Sequence, residues 1–275
     1  MSTRRSFMRT IIGTTAGVSV FNQLTSLAFA APATECWIRL FDGVSLRGWH
    51  KNREQIGHGT GGNWMVEEGA ITGEQDPPGS GNGGVLLTDK KFKDFELLVD
   101  IRPDWGVCSG LFLRGTEMGQ CIQMMVDYHN DGSVGELYGE GTFGWNTRTF
   151  SINETNDAEG NMVGLQTDKH KSVEEVGAIY ACSPEDYVKT YRTDEWNTAR
   201  VLVTGDNPRV TTWINELKVG EFDGSTTTNE TYKKNEAEIL KLVGGAGSLG
   251  VQVHGGGGWP VGMKCRWKNL FVREL

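Results

Sequence analysis

Sustained helical periodicity is nearly absent from this chain, which argues against a helix bundle or alternating strands and helices. No internal repeat is present, so solenoids and propellers are excluded. Proline is light, at 7 residues in 275. The five cysteines (Cys36, Cys108, Cys121, Cys182, Cys265) contain no CxxC pair and no Cys/His zinc spacing. Their odd number leaves at least one thiol unpaired, and they read mostly as buried thiols, because free cysteine packs as a small hydrophobe. Basic charge is short as well: 27 Lys and Arg stand against 35 Asp and Glu, net −8. An acidic surface cannot neutralise phosphates, so nucleic acid is not an expected partner, whereas a neutral sugar is compatible. After residue 30 no stretch is long and apolar enough to span a bilayer, so no membrane span is expected in the mature form.

What is present begins with an export pattern. Thr3-Arg4-Arg5-Ser6-Phe7-Met8-Arg9 is a twin-arginine motif, Ile11 to Phe29 is mildly apolar, and Ala28-Phe29-Ala30 fits a small-x-small cleavage site. The expectation is a signal peptide over 1–30, a mature domain over 31–275, and a periplasmic or secreted location. The first thirty residues carry three arginines and no acid, so the mature chain holds 24 basic and 35 acidic residues, net −11.

Glycine is heavy, at 38 residues, and it punctuates short apolar runs as turns do in β proteins. Strands are predicted over Trp64–Ile71, Gly84–Leu87, Phe95–Arg102, Gly110–Arg114, Cys121–Tyr128, Glu136–Tyr138, Thr198–Thr204, Val210–Ile214, Leu249–Val253 and Cys265–Val272. Two stretches break the pattern. Asn153 to Asp194 is polar and weakly patterned, with a helical turn near Pro184–Val188. Asn229–Leu240 is shorter and partly helical. Both read as insertions, and loops of such length often serve as rims or lids. The fold class predicted is all-β, an antiparallel two-sheet jelly-roll sandwich of the concanavalin A-like or glucanase-like kind, with polar groups converging on a concave face.

Alternation of side chains along strands sorts the candidates by face. In Cys121–His129, Ile122, Met124, Val126 and Tyr128 share the core side. Cys121, Gln123, Met125, Asp127 and His129 share the other. Gln252 and His254 oppose Leu249, Val251 and Val253. Phe112 and Arg114 oppose Leu111 and Leu113, and Glu136 pairs in phase with Tyr138. Four strands therefore present polar or titratable groups, although spacing alone does not say whether their faces coincide.

Several motifs resemble one family. Leu40-Phe41-Asp42-Gly43-Val44-Ser45-Leu46-Arg47-Gly48-Trp49 is similar to the opening motif of the 3-keto-disaccharide hydrolase family. So are Ser109-Gly110-Leu111-Phe112-Leu113-Arg114-Gly115, Glu195-Trp196-Asn197, Gly250-Val251-Gln252-Val253-His254-Gly255-Gly256-Gly257 and Trp267-Lys268-Asn269-Leu270. The resemblance runs from about Leu40 to Leu275. It implies a concanavalin-like jelly roll acting on sugars oxidised at C3. A C3 ketone acidifies the C2 hydrogen; a base removes it, the C1 substituent leaves, and water adds back. Such a site needs a base and a stabiliser for the enolate oxygen, not the paired carboxylates of an ordinary glycosidase.

The resemblance implies a catalytic group of Asp127, Glu136, His254 and Arg114. Asp127 or Glu136 would be the base, His254 an acid/base partner or metal ligand, and Arg114 or Lys268 the holder of the keto oxygen. It also places Gln123, Tyr138 and Lys268 at the substrate. Gln252, in phase with His254, is a further substrate candidate. Because an aromatic face suits the C–H face of a pyranose, Trp49, Trp105, Trp145 and Trp259 are candidate stacking platforms, of which at most two, Trp145 and Trp259, are expected in the site. A divalent metal is compatible with Asp, Gln, Glu and His donors, although no spacing motif identifies its ligands. Three positions depart from the family pattern: Cys121 stands where Glu is usual, Asn215-Glu216 replaces an Asn-Gly turn, and Lys268 replaces Arg. Each candidate has a plain structural alternative. Arg114 can pair with a structural carboxylate, His254 can belong to a glycine turn, Glu136 can solvate a surface, and tryptophan is more often core. Two other functions compete: a non-catalytic lectin-type carbohydrate module, which predicts exposed tryptophans and unperturbed acids, and a two-carboxylate glucanase, for which no Glu-x-Asp-x-x-Glu strand is found.

Overall fold

The computed structural model describes residues 36–53 and 59–275; the predicted signal peptide lies outside the described residues. In chain order the first strands are β1 (Ile38–Arg39), β2 (Trp49–Lys51), β3 (Asn63–Glu67), β4 (Ala70–Glu74), β5 (Gly84–Phe92) and β6 (Phe95–Pro103). β7 (Val107–Gly115), β8 (Cys121–Tyr128), β9 (Ser133–Glu140), β10 (Ser151–Asn156) and β11 (Met162–Asp168) follow. Next come α1 (Val173–Val176), β12 (Tyr180–Ala181), α2 (Pro184–Thr190), β13 (Asn197–Thr204), β14 (Arg209–Ile214) and β15 (Leu217–Asp223). The chain closes with α3 (Glu230–Val243), β16 (Gly247–Val253) and β17 (Cys265–Glu274).

Two antiparallel sheets form the sandwich. A nine-stranded sheet runs β12-β15-β14-β13-β6-β17-β4-β3, with β1 on β17. A six-stranded sheet runs β2-β5-β16-β7-β8-β9. The all-β jelly-roll expectation is met. The core lies between the sheets, where alternate residues of each meet. Leu97, Val99 and Ile101 of β6 and Trp267 of β17 face Ile122, Met124 and Val126 of β8 and Val251 of β16. Burying such side chains contributes roughly 1.5–3 kcal/mol each, so the alternation fixes the strand register. All five cysteines are free; Cys121, Cys182 and Cys265 are buried, as expected, and Cys36 is exposed.

Most predicted strands form, several of them longer than expected. The run Trp64–Ile71 is instead two strands, because Glu68 and Gly69 both take positive φ and reverse the chain between β3 and β4. Asn215 and Glu216 also have φ of 47° and 72°. They make the hairpin turn between β14 and β15 that Asn-Gly usually makes, with Glu216 in backbone space that favours glycine. The polar stretch from Asn153 is more regular than its pattern suggested. It contains most of the β10–β11 hairpin, α1 with a Ser172/Glu175 capping box, and α2 capped by Ser183. The second insertion is a true helix, α3, which buries Tyr232, Ile239 and Val243.

Candidate active site on the six-stranded sheet

The outer face of the six-stranded sheet is assembled by cross-strand partners. Cys108 of β7 lies opposite Asp127 of β8, which lies opposite Ser133 of β9. Gly110 opposes Met125, and Phe112 opposes Gln123, which opposes Tyr138. At one end of this face Val85, Leu87, Phe112 and Cys121 form a small buried apolar cluster. A Glu at position 121 would be a charge inside that cluster, so the departure at Cys121 has a packing reason. At the other end the face opens into a cavity of about 280 Å³. Asp127, Gln123, Tyr138 and His254 all line it, together with Cys108, Met125, Glu140, Asn146 and Arg148.

The floor is a fixed amide pair. Gln123 donates from Nε2 to Gln252 Oε1 at 2.8 Å and to the Ser109 carbonyl at 3.2 Å. Ser109 Oγ donates to the Gln252 carbonyl at 2.7 Å. A Cβ on Gly110 would lie 2.0 Å from Gln123 Nε2, so glycine at 110 makes room for the pair. Gln252 is fully buried beside the cavity, and its Nε2 has no hydrogen-bond partner among the described residues.

Above the floor, Asp127 accepts a hydrogen bond from Cys108 Sγ at 3.2 Å. Burial pushes its carboxyl up to about 6, against the pull of the Cys108 bond, His129 and Arg148. Burial, reinforced by Asp127, also pushes the Cys108 thiol far above the ordinary range. Tyr138 is raised by burial and by the nearby Glu140 and Asp127. His254 directly follows β16, and its Nδ1 faces the Gly255 carbonyl, so Nδ1 carries a hydrogen and Nε2 is the nitrogen that exchanges its proton. Arg148 is anchored through Nη2 alone, which donates to the carbonyl oxygens of Asp131 (2.7 Å) and Gly132 (3.4 Å) and to Ser151 Oγ (3.1 Å) and pairs with the Asp131 carboxylate at 3.5 Å. Its Nε and Nη1 make no hydrogen bond among the described residues, so two donor positions of a fixed guanidinium remain for a ligand. Cys108, Asp127 and His129 each offer a donor atom, and these atoms lie within 4.8 Å of one another. A thiol, a carboxylate and an imidazole spaced in this way suit a thiophilic divalent ion. The sequence alone identified no ligand set, and His254, the one residue it offered by number as a ligand, is not among these three.

Five candidates lie elsewhere. Arg114 is a structural residue. Its φ of 53° turns it off the face at the far end of β7, six residues or roughly 20 Å along the strand from Cys108. There it donates to the carbonyls of Lys93 (2.7 Å), Val243 (3.2 Å) and Gly244 (3.3 Å) and pairs with Asp94. It thereby satisfies the C-terminal carbonyls of α3. Glu136 is 2 % exposed and accepts from Ser133 Oγ and from both the backbone and hydroxyl of Thr149. A register shift in the β8–β9 pairing between Met124 and Val126 takes it out of phase with Tyr138. Burial raises its carboxyl, with the Thr149 and Ser133 bonds opposing. Trp145 is 1 % exposed, stacked on Phe222 at 4.7 Å and edge-on to Tyr232. Trp259 is also buried and donates to the Met263 carbonyl at 2.8 Å. Lys268 belongs to the nine-stranded sheet and lines a different depression. Sequence reasoning missed Arg148, Glu140 and Asn146. The first and last lie on irregular chain after β9, where no periodicity points at a face. Cys108 was legible in principle, because it alternates in phase with Gly110 and Phe112.

Comparison with known proteins adds the family. No curated protein matches in sequence. Two crystal structures of a "putative glycosyl hydrolase" from Parabacteroides distasonis share 18% identity at a TM-score of 0.50. Each covers 87% of this chain, and 94% and 99% of their own chains are matched. A carbohydrate-binding module from Bacillus subtilis is more distant, at 10% identity and a TM-score of 0.41, with 82% of this chain and 96% of that chain covered. These likenesses concern the fold. The family description is more direct: residues 36–273 match the 3-keto-alpha-glucoside-1,2-lyase-like domain, and the chain belongs to that carbohydrate-related family.

Proposed function

We propose that this protein cleaves the glycosidic bond of 3-keto-glycosides by removing the C2 proton and expelling the C1 substituent, after export by the twin-arginine route. One observation carries the reading: a carboxylate, an imidazole and an arginine with unused donors line one pocket. Asp127 takes the C2 proton, and a carboxyl held near 6 is ionised at neutral pH while remaining more basic than an ordinary aspartate. The electron pair moves onto the C3 oxygen, where Arg148 Nε and Nη1 stabilise the enolate. The enolate then re-forms the ketone, the C1–O bond breaks, and His254, entering the cycle protonated at Nε2 as well, gives that proton to the leaving oxygen. Water then adds to C1, its released proton recharges His254 Nε2, and Asp127 returns its proton to C2, which completes a hydrolysis. Gln123, held by Gln252, and Tyr138 orient the sugar. A divalent ion held by Cys108, Asp127 and His129 would instead supply Lewis-acid stabilisation of the enolate oxygen, and Asp127, spent on the ion, would not then be the base.

The lectin-type alternative predicted exposed tryptophans and unperturbed acids. Among the described residues no tryptophan lines this pocket, and Asp127 is strongly perturbed. The test is turnover by the purified protein of a 3-keto-glucoside beside the unoxidised glucoside, each with and without a chelator. Cleavage of only the keto sugar is expected. Cleavage of both, or binding of either sugar without turnover, would overturn the reading, and loss of activity with chelator would add the metal.

A further inference from the structure

The outer face of the nine-stranded sheet carries a second, larger depression of about 580 Å³, across the core from the pocket just described. Two rows of cross-strand partners build it. One row is Met65, Thr72, Arg266 and Arg102, in register across β3, β4, β17 and β6. The next contains Glu67 opposite Ala70, and Lys268 opposite Asp100. Ala70 leaves the opening, because its methyl group sits where neighbouring positions carry long side chains. Trp196, which precedes β13, forms a wall and lies under Lys268 Nζ at 4.0 Å.

The charges here are arranged against stability. Arg266 and Arg102 are directly opposite, and like charges in that relation repel. Arg266 is compensated by Asp104 at 2.6 and 3.2 Å, and Glu67 by Lys264. Arg102 has no hydrogen bond or ion pair among the described residues, and Lys268 has only the indole face. In a chain of net charge −8, two uncommitted cations therefore face one opening. Thr72, 0 % exposed in the same row, has a hydroxyl with no hydrogen-bond partner among the described residues.

We propose that this depression binds a carboxylated sugar, a uronic acid residue of an acidic saccharide. Arg102 offers a fork matched to a carboxylate, and Lys268 adds a second cation. Trp196, Glu67 and Glu68 offer an apolar wall and acceptors for ring hydroxyls. The cavity falls in the range of small-molecule sites and is far too large for one inorganic anion to fill. Taken with the proposed catalysis, on which this step rests, the site would tether an acidic glycan on one face while the other face cleaves a 3-keto sugar.

The test is calorimetric titration of the purified protein with trigalacturonate, maltotriose, a sulfated disaccharide and inorganic phosphate. Trigalacturonate is expected to bind one-to-one, at least tenfold tighter than maltotriose. Arg102→Ala and Lys268→Met should each weaken it tenfold or more with the thermal midpoint unchanged or higher. Asp127→Asn should leave it untouched, which separates this site from the proposed catalytic pocket. Absence of saturable trigalacturonate binding, or binding indifferent to both variants, would overturn the proposal. Equal binding of maltotriose or phosphate would remove the carboxylated sugar as ligand, and tighter binding of the sulfated sugar would replace it.

Discussion

The two outer faces of this sandwich use the same backbone rule for different ends. On the six-stranded sheet the outward polar groups are committed to one another: the buried Gln123–Gln252 pair, and the half-buried Cys108 on Asp127 and Arg148 tied through a single nitrogen. On the nine-stranded sheet the outward groups are equally half-buried but less committed, with Arg102 opposite Arg266 and Lys268 resting on Trp196. Burial gives the first face its perturbed acid, because a carboxylate there loses solvent it cannot fully replace. On the second face Arg102 and Lys268 lack carboxylate partners among the described residues, so in the proposed site their charges are handles for a ligand and add little to the fold.

The largest test of that contrast is catalytic. Asp127→Asn removes the base and should lower kcat/KM for a 3-keto-glucoside by about 10²–10⁴-fold, whereas Arg102→Ala should leave it unchanged. Steady-state kinetics on both variants checks this, and a comparable loss in Arg102→Ala would mean the two faces are not separate. Next is Arg114→Met. It abandons three backbone carbonyls and Asp94 in a buried place, and should cost about 3 kcal/mol of unfolding free energy. Denaturant unfolding measures the loss. The folded fraction should retain full kcat/KM, since Arg114 lies at the far end of β7 from the pocket; a specific loss of turnover would return it to the catalytic group.

How far the sequence reached follows from the same contrast. Alternation along Cys121–Tyr128 and Leu249–Val253 sorted core from outer face correctly, and Asp127, Gln123, Gln252, Tyr138 and His254 do converge. Alternation does not say which sheet a strand joins, so Lys268 was grouped with residues across the core. It also assumes regular backbone. A positive φ removed Arg114 from its face, and a one-residue register shift removed Glu136. Trp145 and Trp259 were absorbed by packing, which tryptophan's large apolar surface favours over exposure. Arg148 lies on chain with no period at all, and only tertiary structure brings it beside Asp127.

A third test uses pH. The folded state raises the Asp127 carboxyl to about 6, above its unfolded value near 3.9. The folded protein therefore binds that proton more tightly, and ionising Asp127 destabilises the fold as pH rises from 4 through 6. Asp127→Asn escapes this, so it should be more stable than wild type by about 2 kcal/mol at pH 7, with the difference fading below pH 4. Unfolding with chelator present, across that range, checks it. Equal stabilities at pH 7 would mean that the pocket solvates Asp127 after all.

The smallest effect is on the nine-stranded sheet. Among the described residues Arg102 pairs with nothing, and it opposes Arg266 across the strands, so Arg102→Ala removes repulsion along with some packing of the arginine stem. The two nearly cancel at low salt, with a net gain of about 0.5 kcal/mol expected. Added salt screens the repulsion and leaves the packing loss, so the gain should shrink or reverse as ionic strength rises toward 1 M. Thermal midpoints of the variant and wild type across a salt series decide it. A gain that persists at high salt would locate the strain in sterics, and a loss at low salt would show that Arg102 is held by the fold itself.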